Sequence, residues 1–321
     1  MSPALSVADS TPGCSLGYDG RVQAPLVVGL GRIGVAISAL GPNLPSVDGA
    51  SSELAALSTA PAPGIAVALR AALRLGCRAR AVGSHGADLL GQLARSALRD
   101  AGIETELLRA VGTSACDLVT VAGDGKLRAH YRGDRGQPVL VDTVAALTGA
   151  SALLIDGSEP RDQLIAAEVA RNQKIPVIFD VSEIRDGTSE LISSCDILIA
   201  SEREASELAP RGELTDALDE LIGLGPRAVV ITLGEQGAIG RHGPNLVRCP
   251  AFATEDVLDS YGAGSVFHGA FAAALLSELP FHRCMELGAA AATLSLRELG
   301  PWSAMPSRED VLALTRQRRA G

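Results

Sequence analysis

Short apolar runs alternate along the chain with segments in which apolar residues recur at helical spacing. Most of these runs are apolar at nearly every position, which is typical of parallel strands covered on both faces. The runs that predict strands span residues 25–30, 78–83, 152–156, 175–181, 196–200 and 228–234. The segments that predict helices span residues 64–76, 88–102, 161–173, 265–278, 281–298 and 307–319. This order predicts an α/β fold with a doubly wound, mostly parallel sheet flanked by helices.

Two stretches of the chain depart from this alternation. Residues 35–59 are rich in turn-forming residues, and residues 115–132 have the pattern of a β-hairpin with Asp124 and Gly125 at its turn. We expect the regions of about 35–59 and 113–136 to form a small β-sheet lid beside the main sheet. Because exposed sheet edges pair readily, two such lids predict a homodimer.

The N-terminal residues and the net charge limit the location and the partners of the chain. Residues 1–24 lack both the basic and the apolar segment of a signal peptide, so we expect a disordered tail before one domain over residues 25–321. The formal net charge is −9 and no basic stripe is present, which argues against a nucleic-acid partner. The most apolar helix is too short to span a bilayer, so we expect no membrane partner and a cytoplasmic protein.

The stretch PLVVGLGRIGVAI, at residues 25–37, contains Gly29, Gly31 and Gly34, which have the spacing of a dinucleotide-binding fingerprint. That fingerprint needs a helix directly after it, with the pyrophosphate at the helix N-terminus. The following residues, VAISALGP, are too few for a crossover helix and favour a strand. Glu53 has about the separation of a ribose-binding carboxylate but lies in a Ser/Ala-rich stretch. We interpret the glycines as points of close backbone approach, with a dinucleotide site as the alternative.

The stretch DSYGAGSVFHGAFAAAL, at residues 259–275, joins a glycine-rich turn to a small-residue helix. Such a turn directs several backbone N–H groups and the positive end of a helix dipole at one point, which suits a phosphate. We expect the N–H groups of Gly262, Ala263, Gly264 and Ser265 to form this anion hole. An ordinary glycine-capped turn is the alternative interpretation.

This motif resembles the signature of the PfkB carbohydrate kinase family, the ribokinase-like sugar and nucleoside kinases. The resemblance extends from about residue 26 to residue 315 and includes four further stretches. They are AVGSHGADLLGQLARSALRDAGIET at 81–105, FDVSEIRDG at 179–187, IASEREASEL at 199–208 and VVITLGEQGAIG at 229–240. Within the family, VFHGAF and GTSELISSCDILIASE look most like ketohexokinase-type members. The resemblance implies a ribokinase-like fold and phosphoryl transfer from ATP, with Mg²⁺, to a sugar-like hydroxyl.

The resemblance also implies roles for residues outside the phosphate loop. Thr232, Gly234 and Gly237 are implied to lie along the nucleotide. Glu204, with Ser201 beside it, is implied to order Mg²⁺ and its waters, since Mg²⁺ keeps several waters and takes few direct carboxylates. The implied partners are therefore a small-molecule nucleotide and a sugar-like ligand.

Two groups of positions depart from the family pattern. The family's catalytic base is the Asp that closes its Gly-Ala-Gly-Asp motif, and Ser265 stands at that position. A serine hydroxyl is a poor proton acceptor near neutral pH, whereas a carboxylate is an effective one. The acceptor-site positions are also degenerate, because their side chains offer a polyol no hydrogen-bond partner. These acceptor-site positions are Gly34, Ala62, Pro63 and Ala66.

These departures favour a nucleotide-binding pseudokinase, in which sugar phosphorylation is impaired or lost. The alternative is an active small-molecule kinase with an atypical acceptor and a surrogate base. His268 is a candidate for that base, because it lies three residues after Ser265 on one helix face, although a packed core histidine is the commoner situation. Asp259 matches a loop Asp with a structural or metal-side role in the family, and Asp88 is better explained as a helix cap.

Overall fold

The computed structural model describes residues 23–41, 53–61, 64–122, 127–132, 142–210, 212–303 and 305–320. Nearly all of the expected disordered tail over residues 1–24 lies outside these residues, as do Asp124 and Gly125 of the expected turn.

The strands and helices follow the chain order that the sequence predicts, with several additions. The strands are β1 (Leu26–Ile33), β2 (Val35–Leu40), β3 (Ala56–Pro61), β4 (Arg78–His85), β5 (Glu104–Ala110), β6 (Cys116–Val121), β7 (Leu127–Arg132), β8 (Ala150–Ile155), β9 (Val177–Val181), β10 (Ile197–Ser201), β11 (Ala228–Thr232), β12 (Ala238–His242) and β13 (Asn245–Cys249). The helices are α1 (Ile65–Arg74), α2 (Leu89–Asp100), α3 (Thr143–Leu147), α4 (Pro160–Asn172), α5 (Thr188–Ser194), α6 (Glu202–Leu208), α7 (Leu214–Gly223), α8 (Ala263–Leu276), α9 (Phe281–Leu294) and α10 (Arg308–Ala320).

The main sheet has nine strands in the order β13-β12-β11-β10-β9-β8-β1-β4-β5. Every neighbouring pair from β11 to β5 is parallel, and only the β11-β12-β13 edge is antiparallel. The predicted mostly parallel, doubly wound sheet is confirmed. The strand order reverses between β1 and β8. In open α/β sheets such a switch point is where a ligand crevice is expected, at the carboxyl ends of the strands.

Helices cover both faces of the sheet, which explains why most of its strands are apolar throughout. One face packs on α1, α2, α8, α9 and α10, and the other on the shorter helices α3 to α7.

Asp88 is the predicted N-cap of α2 and accepts a hydrogen bond from the Gly91 N–H at 2.9 Å. The hydrogen bonds from Ser114 and from the Gly91 and Ser114 backbone lower the Asp88 pKa to about 2.

The antiparallel hairpin β12–β13 and the edge strand β5 were not predicted. Polar or charged residues interrupt both β5 and β13, so neither segment forms a continuous apolar run. The helix expected over residues 281–298 is shorter, because α9 ends at Leu294 and a single 3₁₀ turn follows. The strand expected over residues 152–156 ends at Ile155, which leaves Asp156 beyond it.

A second sheet, in the order β3-β2-β6-β7, forms the predicted small lid. The four strands of the lid lie within the expected regions, except that β3 extends past residue 59 to Pro61. Its inner face, with Ala36, Val119 and Val121, packs on Tyr261 and Leu299. Its outer face exposes Leu57 and Leu118, which pair with Ala39 and Ile37 of the central strand β2.

The glycine-rich end of β1 is followed by the strand β2 and not by a helix. The dinucleotide interpretation therefore lacks the helix that it needs. Close backbone approach is confirmed at Gly34, where a Cβ would lie 2.6 Å from the Ala115 carbonyl oxygen, whereas a Cβ at Gly29 or Gly31 would meet side chains. A Cβ at Gly29 would lie 2.6 Å from Ile65 Cγ2, so glycine lets α1 pack on the strand. No helix within the described residues is long and apolar enough to cross a membrane.

Candidate active site

Polar residues stand at the carboxyl ends of four neighbouring strands, from β11 to β8. Thr232 and Ser201 end β11 and β10 and lie opposite each other in the strand register. Asp180 is the penultimate residue of β9, and Asp156 directly follows β8. Open α/β sheets bind their ligands at this edge, beside the switch point.

The predicted anion hole lies where the glycine-rich loop enters α8. Gly262 is the N-cap of α8 and has a φ of 81°, and a side chain there would lie 2.6 Å from Pro301 Cγ. The N–H groups of Ala263, Gly264 and Ser265 lie in the first turn, where the helix itself supplies no acceptors. The Ala263 N–H donates a long hydrogen bond of 3.4 Å to the Ser260 carbonyl of the loop. A Cβ added to Gly264 would meet no atom within 4 Å, so this turn borders open space. The anion hole itself stays a prediction, and the open space beside Gly264 is the observation that supports it.

Ser265, at the position of the family base, is buried and bonded to another helix. Its Oγ accepts a hydrogen bond from the backbone N–H of Gly64 at 2.8 Å. Gly64 is the N-cap of α1 and has a φ of 80°. The hydroxyl thus joins the N-termini of α1 and α8 across 201 positions of sequence. This bond uses a hydroxyl lone pair and adds no basicity.

A carboxylate that the sequence analysis missed lies against the same glycine. A Cβ added to Gly64 would be 2.7 Å from Asp156 Oδ2, and one added to Gly31 would be 3.0 Å from Asp156 Oδ1. Asp156 is 4% exposed. The sequence signal for Asp156 is a carboxylate at the end of an apolar run. The predicted strand over residues 152–156 includes it, whereas the observed strand ends one residue earlier.

The nucleotide-side residues predicted from the resemblance form one turn between β11 and β12. Thr232 Oγ1 contacts the carbonyl of Ala200 at 3.5 Å. Gly234 has a φ of 56°, and a Cβ there would meet no atom within 4 Å. A Cβ at Gly237 would instead lie 2.1 Å from the Cys249 carbonyl oxygen, so that glycine is required by packing.

The predicted metal-side pair, Ser201 and Glu204, forms a capping box at the start of α6. Glu204 Oε2 accepts a hydrogen bond from the Ser201 backbone N–H at 3.2 Å, and Oε1 accepts one from Arg203 Nε at 3.0 Å. Within the described ranges, no three His, Cys, Asp or Glu side chains converge on a metal-sized site. A single carboxylate still suits Mg²⁺, which binds mainly through waters and substrate phosphates.

Two of the acceptor-site positions implied by the resemblance are closely packed. A Cβ at Gly34 would lie 2.6 Å from the Ala115 carbonyl oxygen, which accepts a hydrogen bond from the Val35 N–H. No larger side chain fits there without a backbone shift. Ala66 is 1% exposed inside α1. Ala62 and Pro63 lie outside the described residues.

His268 is a core residue. It is 0% exposed, and its Nδ1 lies 3.8 Å from Asp180 Oδ2. Burial lowers the pKa of His268 to about 3. A neutral, enclosed imidazole cannot reach an acceptor hydroxyl. His268 is therefore the packed core histidine that the sequence analysis gives as the commoner situation.

Asp259 has a structural role in the loop. Its Oδ1 accepts a hydrogen bond from the Tyr261 N–H at 2.8 Å, and its Oδ2 accepts one from the Gly300 N–H at 2.9 Å. Burial raises the pKa of this carboxyl group. Asp259 therefore fixes the loop that leads into Gly262.

Comparisons with known proteins agree with this geometry. The family profile described as pfkB family carbohydrate kinase matches residues 64–308. The chain is 26% identical over 255 residues to the ribokinase of Haemophilus influenzae, covering 75% of this chain and 83% of that protein. It is 28% identical over 247 residues to the ribokinase of Bacillus subtilis, with the same two coverages of 75% and 83%.

Solved structures show the same similarity. The Arabidopsis thaliana ribokinase complexed with ribose and ATP has a TM-score of 0.80 at 25% identity, covering 91% of this chain and 99% of that one. The Thermotoga maritima ribokinase has a TM-score of 0.77 at 23% identity, with coverages of 91% and 99%. The ribokinase-like fold expected from the sequence is confirmed.

Proposed function

The chain belongs to the pfkB family of carbohydrate kinases, and we propose that it binds a magnesium–nucleotide complex while its phosphoryl transfer to a sugar-like hydroxyl is impaired or lost. One observation carries this proposal. The anion hole is open at Gly264, while the group beside it is the bonded hydroxyl of Ser265 and not a carboxylate. Loss of a general base reduces an enzyme's rate by about 10²–10⁴-fold.

Nucleotide binding is the part of the family function that the residues support best. Phosphoryl-transfer sites act mainly by positioning and by electrostatic stabilisation of phosphate oxygens. The first-turn N–H groups of α8 offer that stabilisation. Gly234 borders open space at the end of β11, where the resemblance places the nucleotide. ATP is the expected nucleotide, because the similar Arabidopsis thaliana ribokinase was solved with ribose and ATP.

For Mg²⁺, Glu204 is the expected ligand, through water, with Ser201 holding the carboxylate in place. The Ser201 N–H and the Arg203 guanidinium already orient the two carboxylate oxygens. When bound, Mg²⁺ would neutralise phosphate charge.

The second candidate is a working kinase with a surrogate base and an atypical acceptor. The position of Asp156 favours it, because this carboxylate lies against Gly64, the residue that bonds Ser265. The hydroxyl-binding side chains remain absent at Gly34 and Ala66 under either candidate, so a common sugar is a poor acceptor under both. The ketohexokinase-type subgroup, the cytoplasmic location and the lid-mediated homodimer stay predictions.

The test measures binding and turnover on one preparation. A ligand that binds only the native state raises the melting temperature by mass action, so we expect Mg·ATP to raise it. ATP turnover with sugars and nucleosides should be far below that of the ribokinases that the chain resembles. Absence of any Mg·ATP shift, or turnover at the rate of those ribokinases, would contradict the proposal.

A charge-restoring variant identifies which defect limits turnover. Ser265→Asp supplies a carboxylate whose oxygen can keep the Gly64 hydrogen bond. Turnover rises if the missing base is the only defect, and stays unchanged if the acceptor site is also lost. Ser260→Asp is the matched control, since it adds the same charge at an exposed position of the same loop.

A further inference from the structure

A buried carboxylate lies at the switch point between β8 and β1, close to the position where the family base is missing. We propose that Asp156 accepts the proton of the attacking hydroxyl in the phosphoryl transfer that this chain retains. The inference rests on the proposed function, and it makes turnover reduced but measurable.

The geometry places Asp156 on the acceptor side of the anion hole. Its Oδ2 lies 2.7 Å from the position of a Cβ on Gly64, and the Gly64 N–H donates to Ser265 Oγ at 2.8 Å. Asp156 Oδ2 and Ser265 Oγ thus both lie near Gly64 and are at most about 8 Å apart, given standard backbone dimensions. An acceptor hydroxyl bound between these two oxygens would lie within reach of both of them.

The other oxygen of Asp156 is held in place by its neighbours. Oδ1 accepts hydrogen bonds from the Ser158 N–H at 2.9 Å and from Gln163 Nε2 at 3.0 Å. Gln163 is in turn bonded to the Leu30 carbonyl and the Gly157 N–H. This network fixes the carboxylate and directs Oδ2 toward Gly64, which is the pre-organisation that proton transfer needs.

Other titratable groups near the loop are less suited to this task. His268 is 0% exposed and its imidazole is enclosed in the core. Both carboxylate oxygens of Asp259 accept backbone hydrogen bonds. Glu204 is bonded to Ser201 and Arg203 beside β10, on the metal side of the crevice. Asp156 alone among these four borders the crevice next to Gly31, Gly64 and the first strand.

The step balances with a nucleoside triphosphate as phosphoryl donor. The acceptor oxygen forms a bond to the γ-phosphorus while the bond from that phosphorus to the β,γ-bridging oxygen breaks. The acceptor O–H bond also breaks, and its proton passes to Asp156 Oδ2. The products are the phosphorylated acceptor and the nucleoside diphosphate, and Asp156 releases the proton to solvent.

The test uses Asp156→Asn in the full chain, with water and D-ribose as acceptor hydroxyls. Asn keeps the oxygen that Ser158 and Gln163 bond and removes only the basic one. We expect hydrolysis of Mg·ATP, which needs no sugar site, to fall by about 10²-fold or more, as for loss of a general base, and the slower transfer to ribose to fall with it. The melting shift caused by Mg·ATP should stay that of the unaltered chain, because Asp156 does not contact the anion hole.

Two further variants make the result decisive. Asp219→Asn, which removes an exposed carboxylate that pairs with Arg241, should leave both rates unchanged. Adding Ser265→Asp to Asp156→Asn should restore turnover, because a carboxylate then stands at the position of the family base. That rescue would not follow if Asp156 only stabilised the fold.

Each remaining outcome decides between the two proposals. Equal rates for Asp156→Asn and the unaltered chain overturn the role of Asp156. Binding of Mg·ATP with neither hydrolysis nor transfer also overturns it, while leaving the nucleotide-binding proposal intact. Failure of the unaltered chain to bind Mg·ATP overturns the proposed function itself.

Discussion

Tyr261 Oη donates a hydrogen bond to Asp117 Oδ2 at 2.5 Å, and this bond connects the loop of the anion hole to lid strand β6. Tyr261 directly precedes the N-cap of α8, and its ring packs on the inner face of the lid. The bond therefore joins lid strand β6 to the residue that precedes the N-cap of α8.

The Tyr261–Asp117 bond is tested by Tyr261→Phe, which removes the hydroxyl and keeps the ring. We expect the free energy of unfolding to fall by about 1 kcal/mol, the usual net value of such a bond. Asp117→Asn is the second arm, and urea unfolding of both single variants and the double variant measures their coupling. Strictly additive changes would show that the bond contributes nothing.

Gly34 is predicted to tolerate no side chain. Gly34→Ala should lower the free energy of unfolding by about 1–3 kcal/mol, because the added Cβ overpacks against Ala115. Gly34→Asp should be at least as destabilising and should not create sugar binding, which calorimetry with D-ribose measures. Gly41→Ala is the control, since its Cβ would meet Leu54 at an ordinary 3.5 Å. Equal stability of the two alanine variants would contradict the prediction.

Gly264 is predicted to be required for ligand binding and not for folding. Gly264→Ala should raise the free energy of unfolding by about 0.5–1 kcal/mol, because alanine loses less backbone entropy on folding. The same Cβ would occupy the open space of the anion hole, so the melting shift caused by Mg·ATP should shrink. Gly223→Ala, also helical and with no atom near its Cβ, should stabilise without changing that shift. An unchanged shift in Gly264→Ala would argue against the anion hole.

His268 and Asp180 are predicted to balance each other's effect on acid stability. Burial lowers the pKa of His268 to about 3, and burial with the charges of Asp156 and Glu204 raises the pKa of Asp180 well above its ordinary value. As the pH falls below about 6.5, the unfolded chain gains a proton at His268 that the folded protein does not. The folded protein keeps a proton at Asp180 that the unfolded chain releases above about pH 4.

Asp180→Asn removes only the second of these effects. The free energy of unfolding of the variant should then fall as the pH drops from about 6.5 toward 3, by up to about 1.4 kcal/mol per pH unit. In the unaltered chain it should fall less steeply, because Asp180 offsets part of the His268 effect. Urea unfolding without nucleotide or metal, between about pH 7 and pH 5, measures the slope. Asp219→Asn, at an exposed carboxylate, is the control. Identical slopes for Asp180→Asn and the unaltered chain would refute the coupling.

The sequence predicts that two lids pair edge to edge, and we extend this prediction to the exposed leucines of the outer face. Leu57 is 61% exposed and Leu118 is 43% exposed on that face. Leu118→Lys should convert a dimer into a monomer, because an ammonium group would be buried without a partner. Light scattering measures the mass, and Leu89→Lys, at a 77% exposed position on α2, should leave it unchanged. A monomeric unaltered chain would refute lid pairing.

The sequence by itself determined the class of the fold and the place of the phosphate loop. Apolar runs at β8 to β11 predict buried parallel strands, because a strand covered on both faces must be apolar at each position. The GAGS turn before a small-residue helix predicts an anion hole for a similarly local reason. The sequence also shows that Ser265 stands where the resemblance implies a catalytic Asp, since this is a matter of residue identity.

Only the tertiary structure decided what surrounds those residues. Ser265 is bonded to Gly64, Gly34 is pressed against Ala115, and Asp156 faces Gly64, although each pair lies far apart in the chain. No local pattern predicts such contacts, because they depend on how α1, α8 and the ends of β1 and β8 pack together. Asp156 in particular follows an apolar run like many loop residues, and it becomes a candidate proton acceptor only because the sheet reverses its strand order beside it.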